Sequence, residues 1–304
     1  MERFKVVGVG YNCVDMICMV EDFPVEDSST HITSRVVQGG GAVATALVAA
    51  SRLGTKCAFI GNIGNDIMSD ETIRMFQSDG VCTDYMVRRD DCYGLESIVM
   101  VNPANGSRTK FPQRDYNPPI SWDDRLSDVV GGCCILHLDG THYENAINAA
   151  RIAKEHGVLV SLDGCSMQKD NEKNKILATM ADILIMNSKY PLKVSGKATY
   201  DEALLEMSTW GSKKVVGCTL GDNGSKFVVD GKVVDFPGFE SKVVVDTTGC
   251  GDVFHGAFLN AYVFGMTLEK CIRFASAAAC CKCAAPGGRA GIPSREIVLE
   301  MIGE

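Results

Sequence analysis

Short β-branched runs alternate with amphipathic stretches along most of the chain. The runs with strand character are Phe4 to Val9, Cys57 to Ile60, Cys134 to Leu138, Val158 to Leu162, Asp182 to Met186 and Lys214 to Thr219. The stretches with apolar residues at helical spacing include Ala42 to Leu53, Tyr143 to His156 and Tyr200 to Thr209. This alternation is typical of parallel strands joined by crossover helices. It predicts an α/β protein with a central, mostly parallel sheet and helices on both faces.

Two regions depart from this alternation. Residues from about 13 to 36 and from about 90 to 115 contain strand-like stretches, such as Ser97 to Asn102 and Thr109 to Pro112, between turn residues. They predict a small β subdomain or lid. Further along, two strand-like runs flank Asp230-Gly231, a dipeptide typical of tight hairpins, so antiparallel strands are expected there. Because no repeat or linker divides the chain, we expect one domain over residues 1–304.

Composition and charge exclude several classes of protein. Of the 304 residues, 46% are hydrophobic and 22% are charged, which suits a large folded core. The net charge of −8 disfavours a surface that neutralises a nucleic-acid backbone. The N-terminal apolar run is too short for a signal peptide, and no later run approaches the roughly 20 apolar residues of a membrane helix. We therefore expect a cytoplasmic protein without nucleic-acid or membrane partners.

The 14 cysteines are scattered through apolar segments of a long chain without an export signal. This distribution favours reduced, mostly buried thiols over a disulfide scaffold. The cluster Cys280, Cys281 and Cys283 and the pair Cys133 and Cys134 lack the spacing of a zinc ribbon. Packing as small hydrophobic side chains is therefore favoured over metal binding.

Three glycine-containing segments are candidates for phosphate binding. Gly8-Val-Gly10 follows a strand, but Cys13 replaces the third glycine of a dinucleotide-binding motif and another strand follows. Gly39-Gly-Gly41 precedes a helix and predicts a turn at which the backbone approaches a ligand closely. The strongest candidate is Val245 to Asp252, where the pattern predicts that a strand ends, glycines follow and a helix begins.

This third segment has the chemistry of an anion-binding helix start. The free N–H groups of Gly249, Cys250 and Gly251, together with the helix dipole, would hold a transferring phosphoryl group. Asp252 in the first turn would accept a proton from an attacking hydroxyl or orient it. Because a helix N-terminus stabilises an ionised carboxylate, we also expect Asp252 to be a weak base. The alternative is that Asp252 and Asp246 only cap the helix. Capping would explain either aspartate alone, but it does not explain why both occur together with the glycines between them.

The chain contains no glycine-x4-glycine-lysine-serine/threonine motif, which excludes an ordinary P-loop kinase. Instead, Asp246-Thr-Thr-Gly-Cys-Gly-Asp252 resembles the nucleotide-side signature of the ribokinase-like (PfkB) carbohydrate kinases, with Cys250 where alanine is usual. The segments Gln38 to Gly54 and Gly61 to Asp66 resemble the substrate-side signature and the segment after it. The resemblance covers nearly the whole chain. It implies a ribokinase-like three-layer sandwich with a small β lid, and a cytoplasmic ATP-dependent sugar kinase.

The resemblance also implies roles for individual residues. For catalysis these are Asp252, Gly249, Cys250 and Gly251; for sugar binding Asp15, Asp27, Gly39, Gly40 and Gly41; for the nucleotide Arg108, Asn187, Thr219, Gly221 and Gly224; and for a monovalent cation such as K⁺, Asp246 and Thr248. Mg²⁺ would be bound on the ATP phosphates. Because the family often dimerises through the lid, a homodimer is implied as well.

Within the family, ketohexokinase and sulfofructose kinase are the branches that the chain resembles most. Asp27, and Arg108 within Gly106-Ser-Arg-Thr109, resemble the sugar-binding and lid residues of ketohexokinase. The segments Asp252 to Ala257 and Pro286 to Pro293 resemble those of sulfofructose kinase. The arginine that this second branch carries is missing from Leu138 to Tyr143. The resemblance therefore implies a ketose or ketose-like substrate without deciding which one.

The sequence departs from the family pattern at two places. Gly41 and Ala44 stand where asparagines often bind sugar hydroxyls, and the usual Asn-x-x-Glu is Asn187-Ser-Lys-Tyr190, which lacks the carboxylate. Two alternatives therefore stay open: a nucleoside kinase, which needs an aromatic pocket for the base, and a catalytically silent sugar-sensing protein. We expect His255 to pack beneath the site. For Arg289, pairing with phosphate and a surface position are equally compatible with the sequence.

Overall fold

A computed structural model describes residues 3–102, 107–241 and 243–304. The strands are β1 Val6–Val9, β2 Cys13–Val20, β3 Ile32–Gly40, β4 Cys57–Ile63, β5 Met86–Arg88, β6 Glu96–Asn102, β7 Ser107–Pro112, β8 Ile135–Leu138, β9 Leu159–Gly164, β10 Ile183–Asn187, β11 Val215–Thr219, β12 Ser225–Val229 and β13 Lys232–Phe236. The helices are α1 Ala42–Arg52, α2 Ile67–Ser78, α3 Asp124–Gly132, α4 Tyr143–Glu155, α5 Asn171–Met180, α6 Tyr190–Ser195, α7 Tyr200–Met207, α8 Cys250–Val263, α9 Leu268–Lys282 and α10 Arg295–Ile302, with a 3-10 turn at Gly221–Asn223.

The central sheet has the strand order β13-β12-β11-β10-β9-β8-β1-β4-β5 over the described residues. All neighbours from β11 to β5 are parallel, whereas β12 and β13 pair in antiparallel fashion. The predicted α/β fold with a mostly parallel sheet is thus confirmed. The expected hairpin is also present, because Asp230 and Gly231 take positive φ angles of 48° and 74° between β12 and β13, as a tight hairpin turn requires.

Helices cover both faces of this sheet, and the alternation of side chains along a strand explains the two cores. Val6 of β1 belongs to a buried cluster with residues of α1, α8 and α9. Val7, the next residue, belongs to the cluster on the opposite face with residues of α3 and α4. Since successive side chains point to opposite faces of a sheet, the strand is apolar on both sides. Of the described helices, none is both long and apolar enough to cross a membrane.

The contact between α1 and α8 fixes the position of the N-terminus of α8. Gly256 in α8 lies so close to α1 that a Cβ atom there would be 2.1 Å from the carbonyl oxygen of Ala46 and 2.7 Å from Ala49 Cβ. Such distances are well inside van der Waals contact, so the two helices can approach only because residue 256 lacks a side chain.

We expect Gly256→Ala to lower the free energy of unfolding by about 1–3 kcal/mol, because the added methyl group forces α8 away from α1. Urea denaturation followed by circular dichroism measures this loss. Gly132→Ala is the matched control, since a Cβ atom at this helical glycine meets nothing within 4 Å. Equal stability of the two variants would contradict the packing argument.

A second sheet of four strands has the order β3-β2-β6-β7 within the described residues. Strand β2 is antiparallel to β3 and parallel to β6, and β7 pairs with β6 in antiparallel fashion. The expected turn at Gly39 and Gly40 is wrong, because both residues end β3 and pair with Val14 and Cys13 of β2. The chain leaves the strand only at Gly41, which has a φ angle of 98° and is the N-cap of α1.

The strand expected before Asp246 is also absent from the described residues. Val243, Val244 and Val245 are exposed and lie outside the sheets. The backbone N–H groups of Val245 and Asp246 instead donate to the carbonyl oxygen of Cys283 at 2.8 and 3.2 Å. The end of α9 therefore supplies the hydrogen bond that a neighbouring strand would have supplied.

Candidate active site

Polar residues occupy the carboxyl ends of four neighbouring parallel strands. Asp139 follows β8, Asp163 lies near the end of β9, and Asn187 and Thr219 end β10 and β11. Asn187 is directly opposite Thr219 in the parallel register. The carboxyl ends of parallel strands meet at one edge of a sheet, where open α/β proteins bind ligands.

Helix α8 begins beside this edge with an uncapped first turn. Its N-cap is Gly249, which has a φ angle of 76° and no side chain to cap the helix. Asp246 is not an N-cap of this helix, because its carboxylate accepts from the N–H groups of Thr248 and Gly287, each at 2.8 Å. Of the three N–H groups expected to be free here, that of Cys250 is not, because it donates to the carbonyl oxygen of Thr247 at 3.3 Å. The helix dipole and the other N–H groups of this first turn favour an anion at this position.

A cavity of about 400 Å³ lies between the second sheet and the start of α8. It brings together residues far apart in the sequence, namely Tyr11, Cys13, Asp15, Gly40, Gly41, Ala42, Thr45, Ser97, Arg108, Lys110, Pro112, Thr247, Thr248, Gly249, Asp252 and Gly288. Candidate sugar residues thus face the candidate anion site across one cavity.

The half-buried carboxyl group of Asp252 has a pKa raised from 3.8 to about 7. Desolvation is the largest cause, and the negative charge of Asp163 is the next. The expectation of a weak base, which considered only the helix dipole, is therefore wrong: burial and the neighbouring carboxylate outweigh the dipole. A carboxylate with a pKa near neutrality is well suited to accept a proton at physiological pH.

Two buried histidines lie near Asp163. His255, which is 3% exposed, places Nε2 3.1 Å from Oδ1 of Asp163. The ring of His137 lies 5.5 Å from the ring of His255, and burial lowers the pKa of His137 to about 3. His137 is therefore neutral, and His255 holds the buried carboxylate of Asp163 in place.

We expect the activity of this site to rise with pH through an apparent pKa of about 7, because Asp252 must be ionised to accept a proton. A profile of kcat/KM from pH 5.5 to 9 at saturating nucleotide measures it. Asp163→Asn removes a negative charge that raises this pKa, so its profile should shift towards lower pH. A flat parental profile, or a shift towards higher pH in the variant, would contradict the assignment.

Asp15 and the glycines at the end of β3 fit against one another. A Cβ atom at Gly40 would lie 2.1 Å from Oδ2 of Asp15, so only glycine leaves room for this carboxylate. On the opposite side, a Cβ atom at Gly39 would lie 1.9 Å from Nη1 of Arg289. Burial raises the pKa of Asp15 above its usual value. The glycines therefore position two charged groups rather than form a turn.

Arg289 is neither at the surface nor among the residues that line the cavity. It is 4% exposed, its Nη2 donates to the carbonyl oxygen of Gly40 at 3.3 Å, and its guanidinium lies 5.5 Å from the ring centre of Phe76. Burial lowers its pKa to about 10. Arg289 therefore supports the end of β3 from outside the cavity. Neither expectation from the sequence is met, because Arg289 is not at the surface and does not line the cavity that contains the anion site.

Several predicted site residues lie away from this cavity. Asp27 is exposed, has a φ angle of 62° and does not line it. Asn187 accepts from the N–H groups of Lys189 and Tyr190 at 3.0 and 3.1 Å. The remaining nucleotide candidates, Thr219, Gly221 and Gly224, lie at and beyond the end of β11. Gly106 lies outside the described residues.

Lys110 lines the cavity but was not predicted from the sequence. It lies two residues after Arg108 on β7, and side chains two apart share a face of a strand. Arg108 itself pairs with Asp246, with 3.0 Å between Nη1 and Oδ1, and also contacts Thr248. Because Arg108 was already a candidate, the alternation of side chains along β7 would have predicted that Lys110 faces the anion site as well.

Known proteins identify the class of enzyme. The pattern of the pfkB family carbohydrate kinases matches residues 3–295, so the chain belongs to this family. The resemblance stated from the motifs is confirmed, and the class of enzyme is a carbohydrate kinase.

Relatives of known activity include three kinds of kinase. A bifunctional ribokinase/ribose-5-phosphate isomerase A from Fructilactobacillus sanfranciscensis is 27% identical over 99% of this chain and 56% of its own length. Ketohexokinase from Mus musculus is 24% identical over 94% of this chain and 98% of its own. A nucleoside kinase from Methanothermobacter thermautotrophicus is 26% identical over 91% and 89%. The chain thus spans about half of the first relative and most of the other two.

Solved structures support the same fold. Ribokinase from Arabidopsis thaliana, complexed with ribose and ATP, has a TM-score of 0.86 and 26% identity, and the match covers 100% of both chains. Ribokinase from Thermotoga maritima has the same TM-score and identity.

Proposed function

We propose that the protein transfers the γ-phosphoryl group of ATP to a primary hydroxyl of a small sugar, a ketose or ketose-like compound. The observation that carries this proposal is the single cavity that joins Asp15 and Gly40 to the start of α8 and Asp252. The hydroxyls of a sugar can donate hydrogen bonds to Asp15, while the transferred group lies against the N–H groups of Gly249 and Gly251 at the start of α8.

In the proposed reaction, Asp252 accepts the proton of the sugar hydroxyl while the oxygen of that hydroxyl attacks the γ-phosphorus. The bond between that phosphorus and the β–γ bridging oxygen breaks, and ADP leaves with the electron pair. Negative charge builds on the phosphoryl oxygens, where the first turn of α8, Arg108 and Lys110 provide compensating positive charge. Arg108 exchanges its partner Asp246 for the phosphate in this scheme.

The nucleotide would lie along the carboxyl ends of β10 and β11, beside Asn187, Thr219, Gly221 and Gly224. This placement extends from the anion site at Gly249, and the Arabidopsis ribokinase was solved with ATP and ribose. Mg²⁺ would be bound mainly by the phosphates and water, as this ion commonly is. The expected K⁺ ion does not fit at Asp246, because the ammonium of Lys282 already lies against the backbone carbonyl of that residue.

A nucleoside is the second candidate substrate, and a second cavity favours it. This cavity of about 240 Å³ is lined by aromatic side chains that include Tyr93, His142 and Tyr143. Tyr11 of the first cavity lies 6.3 Å from the ring of His142, so the two cavities are neighbours. The nucleobase of a nucleoside could occupy the second cavity while its ribose occupies the first.

We further propose that the second sheet is the lid of a single kinase domain and the surface for a second copy of the chain. Exposed apolar side chains on it are Ile32, Val36, Val37, Ile98 and Phe111. A cluster of this kind is typical of interaction sites. Light scattering after size exclusion should give a dimer that Phe111→Glu, which adds a buried charge to the interface, converts to monomers.

Phosphorylation across a panel tests the function. ADP release with Mg-ATP is measured for ketoses, aldoses, deoxy sugar acids, sulfofructose and nucleosides. We expect the highest kcat/KM for a ketose. A nucleoside optimum would favour the second candidate, and Mg-ATP binding without turnover on any compound would favour a sugar-sensing protein.

A further inference from the structure

The ammonium group of Lys282 is buried beside the anion site. Lys282 ends α9 and is 0% exposed, although lysine is among the residue types least often fully buried. Its Nζ donates a hydrogen bond of 2.6 Å to the backbone carbonyl oxygen of Asp246. A lysine in such a position needs a reason, because removing an ammonium from water is costly.

Asp246 is the residue to which the family resemblance assigns a monovalent cation. Its carboxylate Oδ1 accepts from the N–H of Thr248 at 2.8 Å and from Nη1 of Arg108 at 3.0 Å. Its Oδ2 accepts from the N–H of Gly287 at 2.8 Å. Each of these oxygens therefore already faces a hydrogen-bond donor.

This arrangement does not fit a bound K⁺ ion. Potassium is coordinated in proteins by oxygens that point their lone pairs at the ion, commonly rings of backbone carbonyls. The carbonyl of Asp246 points at an ammonium instead, and its carboxylate is occupied by N–H donors. A K⁺ ion next to Lys282 and Arg108 would be a third cation and would meet two like charges.

We propose that Lys282 is a built-in replacement for the monovalent cation, so that the loop from Asp246 to Gly249 is held in its anion-binding form without K⁺. The charge is covalently attached, and no ion has to bind before the loop is ordered. Lys282 thereby acts as a positioning residue for the first turn of α8. The kinetic part of this inference rests on the proposed phosphoryl transfer, whereas the structural part does not.

Two cationic side chains meet at Asp246. Its carboxylate Oδ1 lies 3.0 Å from Nη1 of Arg108 on β7, and its backbone carbonyl oxygen accepts from Nζ of Lys282 on α9 at 2.6 Å. Asp246 therefore binds one cation through its side chain and one through its backbone.

The parental protein provides the first test. Its melting temperature and its affinity for Mg-ATP are measured in choline chloride and in potassium chloride at equal ionic strength. Because a bound ion stabilises the folded state, a protein with a K⁺ site melts higher in K⁺. We expect melting temperatures within about 1 °C and affinities within about 2-fold. A saturable rise of several degrees, or a 10-fold gain in Mg-ATP affinity in K⁺, would overturn the inference.

A pair of variants provides the second test. Lys282→Ala leaves space beside the carbonyl of Asp246, so Mg-ATP affinity should fall about 10-fold in choline and recover in K⁺ or ammonium. Lys270→Ala, at an exposed position of the same helix, is the control and should behave as the parent. A Lys282→Ala protein that binds Mg-ATP like the parent in choline would overturn the inference. If this variant does not fold, the parental measurement still decides.

Melting and nucleotide binding also separate this inference from the proposed function. A parent that phosphorylates no sugar, yet whose melting temperature is the same in choline and K⁺, would refute the function alone. A sugar kinase that requires K⁺ would refute the role of Lys282 alone.

Discussion

Asp252→Asn is expected to lower kcat for the sugar by about 10²-fold to 10⁴-fold, because an amide cannot accept the proton of the attacking hydroxyl. The affinity for Mg-ATP should change by less than about 3-fold, since the N–H groups at the start of α8 remain. Initial rates at saturating sugar, together with calorimetric binding of the nucleotide, measure both effects.

Asp128→Asn is the matched control, because Asp128 is an exposed aspartate on α3 outside the cavity. It should retain parental kcat. Equal losses in the two variants would mean that general destabilisation, and not proton transfer, explains the result. A fully active Asp252→Asn protein would remove this residue from the mechanism.

Asp252→Asn should also be more stable than the parental protein at pH 8. The folded pKa of Asp252 is about 7, above its ordinary value of 3.8. Folding thus favours the protonated form, and this contribution to stability is complete below 3.8 and is lost as pH rises through 7. At pH 8 the ionised side chain destabilises the parent, so Asn should add on the order of 1–3 kcal/mol. Thermal melts at pH 5 and pH 8 measure the difference, which should be larger at pH 8.

Asp15→Asn is expected to raise KM for the sugar by about 10-fold to 100-fold, because hydrogen bonds to a charged group contribute about 1.5–3 kcal/mol. The effect on kcat should be smaller, since Asp15 lies on the second sheet and Asp252 on α8. Initial rates over a range of sugar concentrations separate the two parameters.

Asp22→Asn is the control for this second variant, because Asp22 is an exposed residue just beyond the end of β2. It should have parental KM. If Asp15→Asn left KM unchanged but lowered kcat, Asp15 would act on the reaction step and not on sugar binding.

The fold was predictable from the sequence because its strands are continuous apolar runs with helices between them. The six runs that predicted strands all contribute to the central sheet, and the predicted hairpin at Asp230-Gly231 is present. Local pattern is informative in such segments, because each strand must be apolar on both faces. The edges of the elements were less predictable: Gly39 and Gly40 look like a turn, but pairing with β2 holds them in a strand.

The candidate site was predictable in its parts but not in its interactions. The glycines before Asp252 indicated an anion-binding helix start, because that chemistry depends on the local backbone. The raised pKa of Asp252 depends on Asp163, which is 89 residues away in the sequence, and on burial that no local pattern shows. Lys282 lies in the run from Ala277 to Ala284, whose alanines and cysteines are typical of a closely packed helix and give no sign of a binding site. Its contact with Asp246 arises only when the end of α9 meets the loop before α8.

³¹P NMR of the parental reaction observes the proposed transfer of a phosphoryl group from ATP to a sugar hydroxyl. With Mg-ATP and the best sugar of the panel, we expect a new phosphate monoester resonance that grows in step with ADP and is nearly abolished by Asp252→Asn. ADP accompanied only by inorganic phosphate would refute the transfer, and the same monoester formed equally fast by Asp252→Asn would refute the role of Asp252.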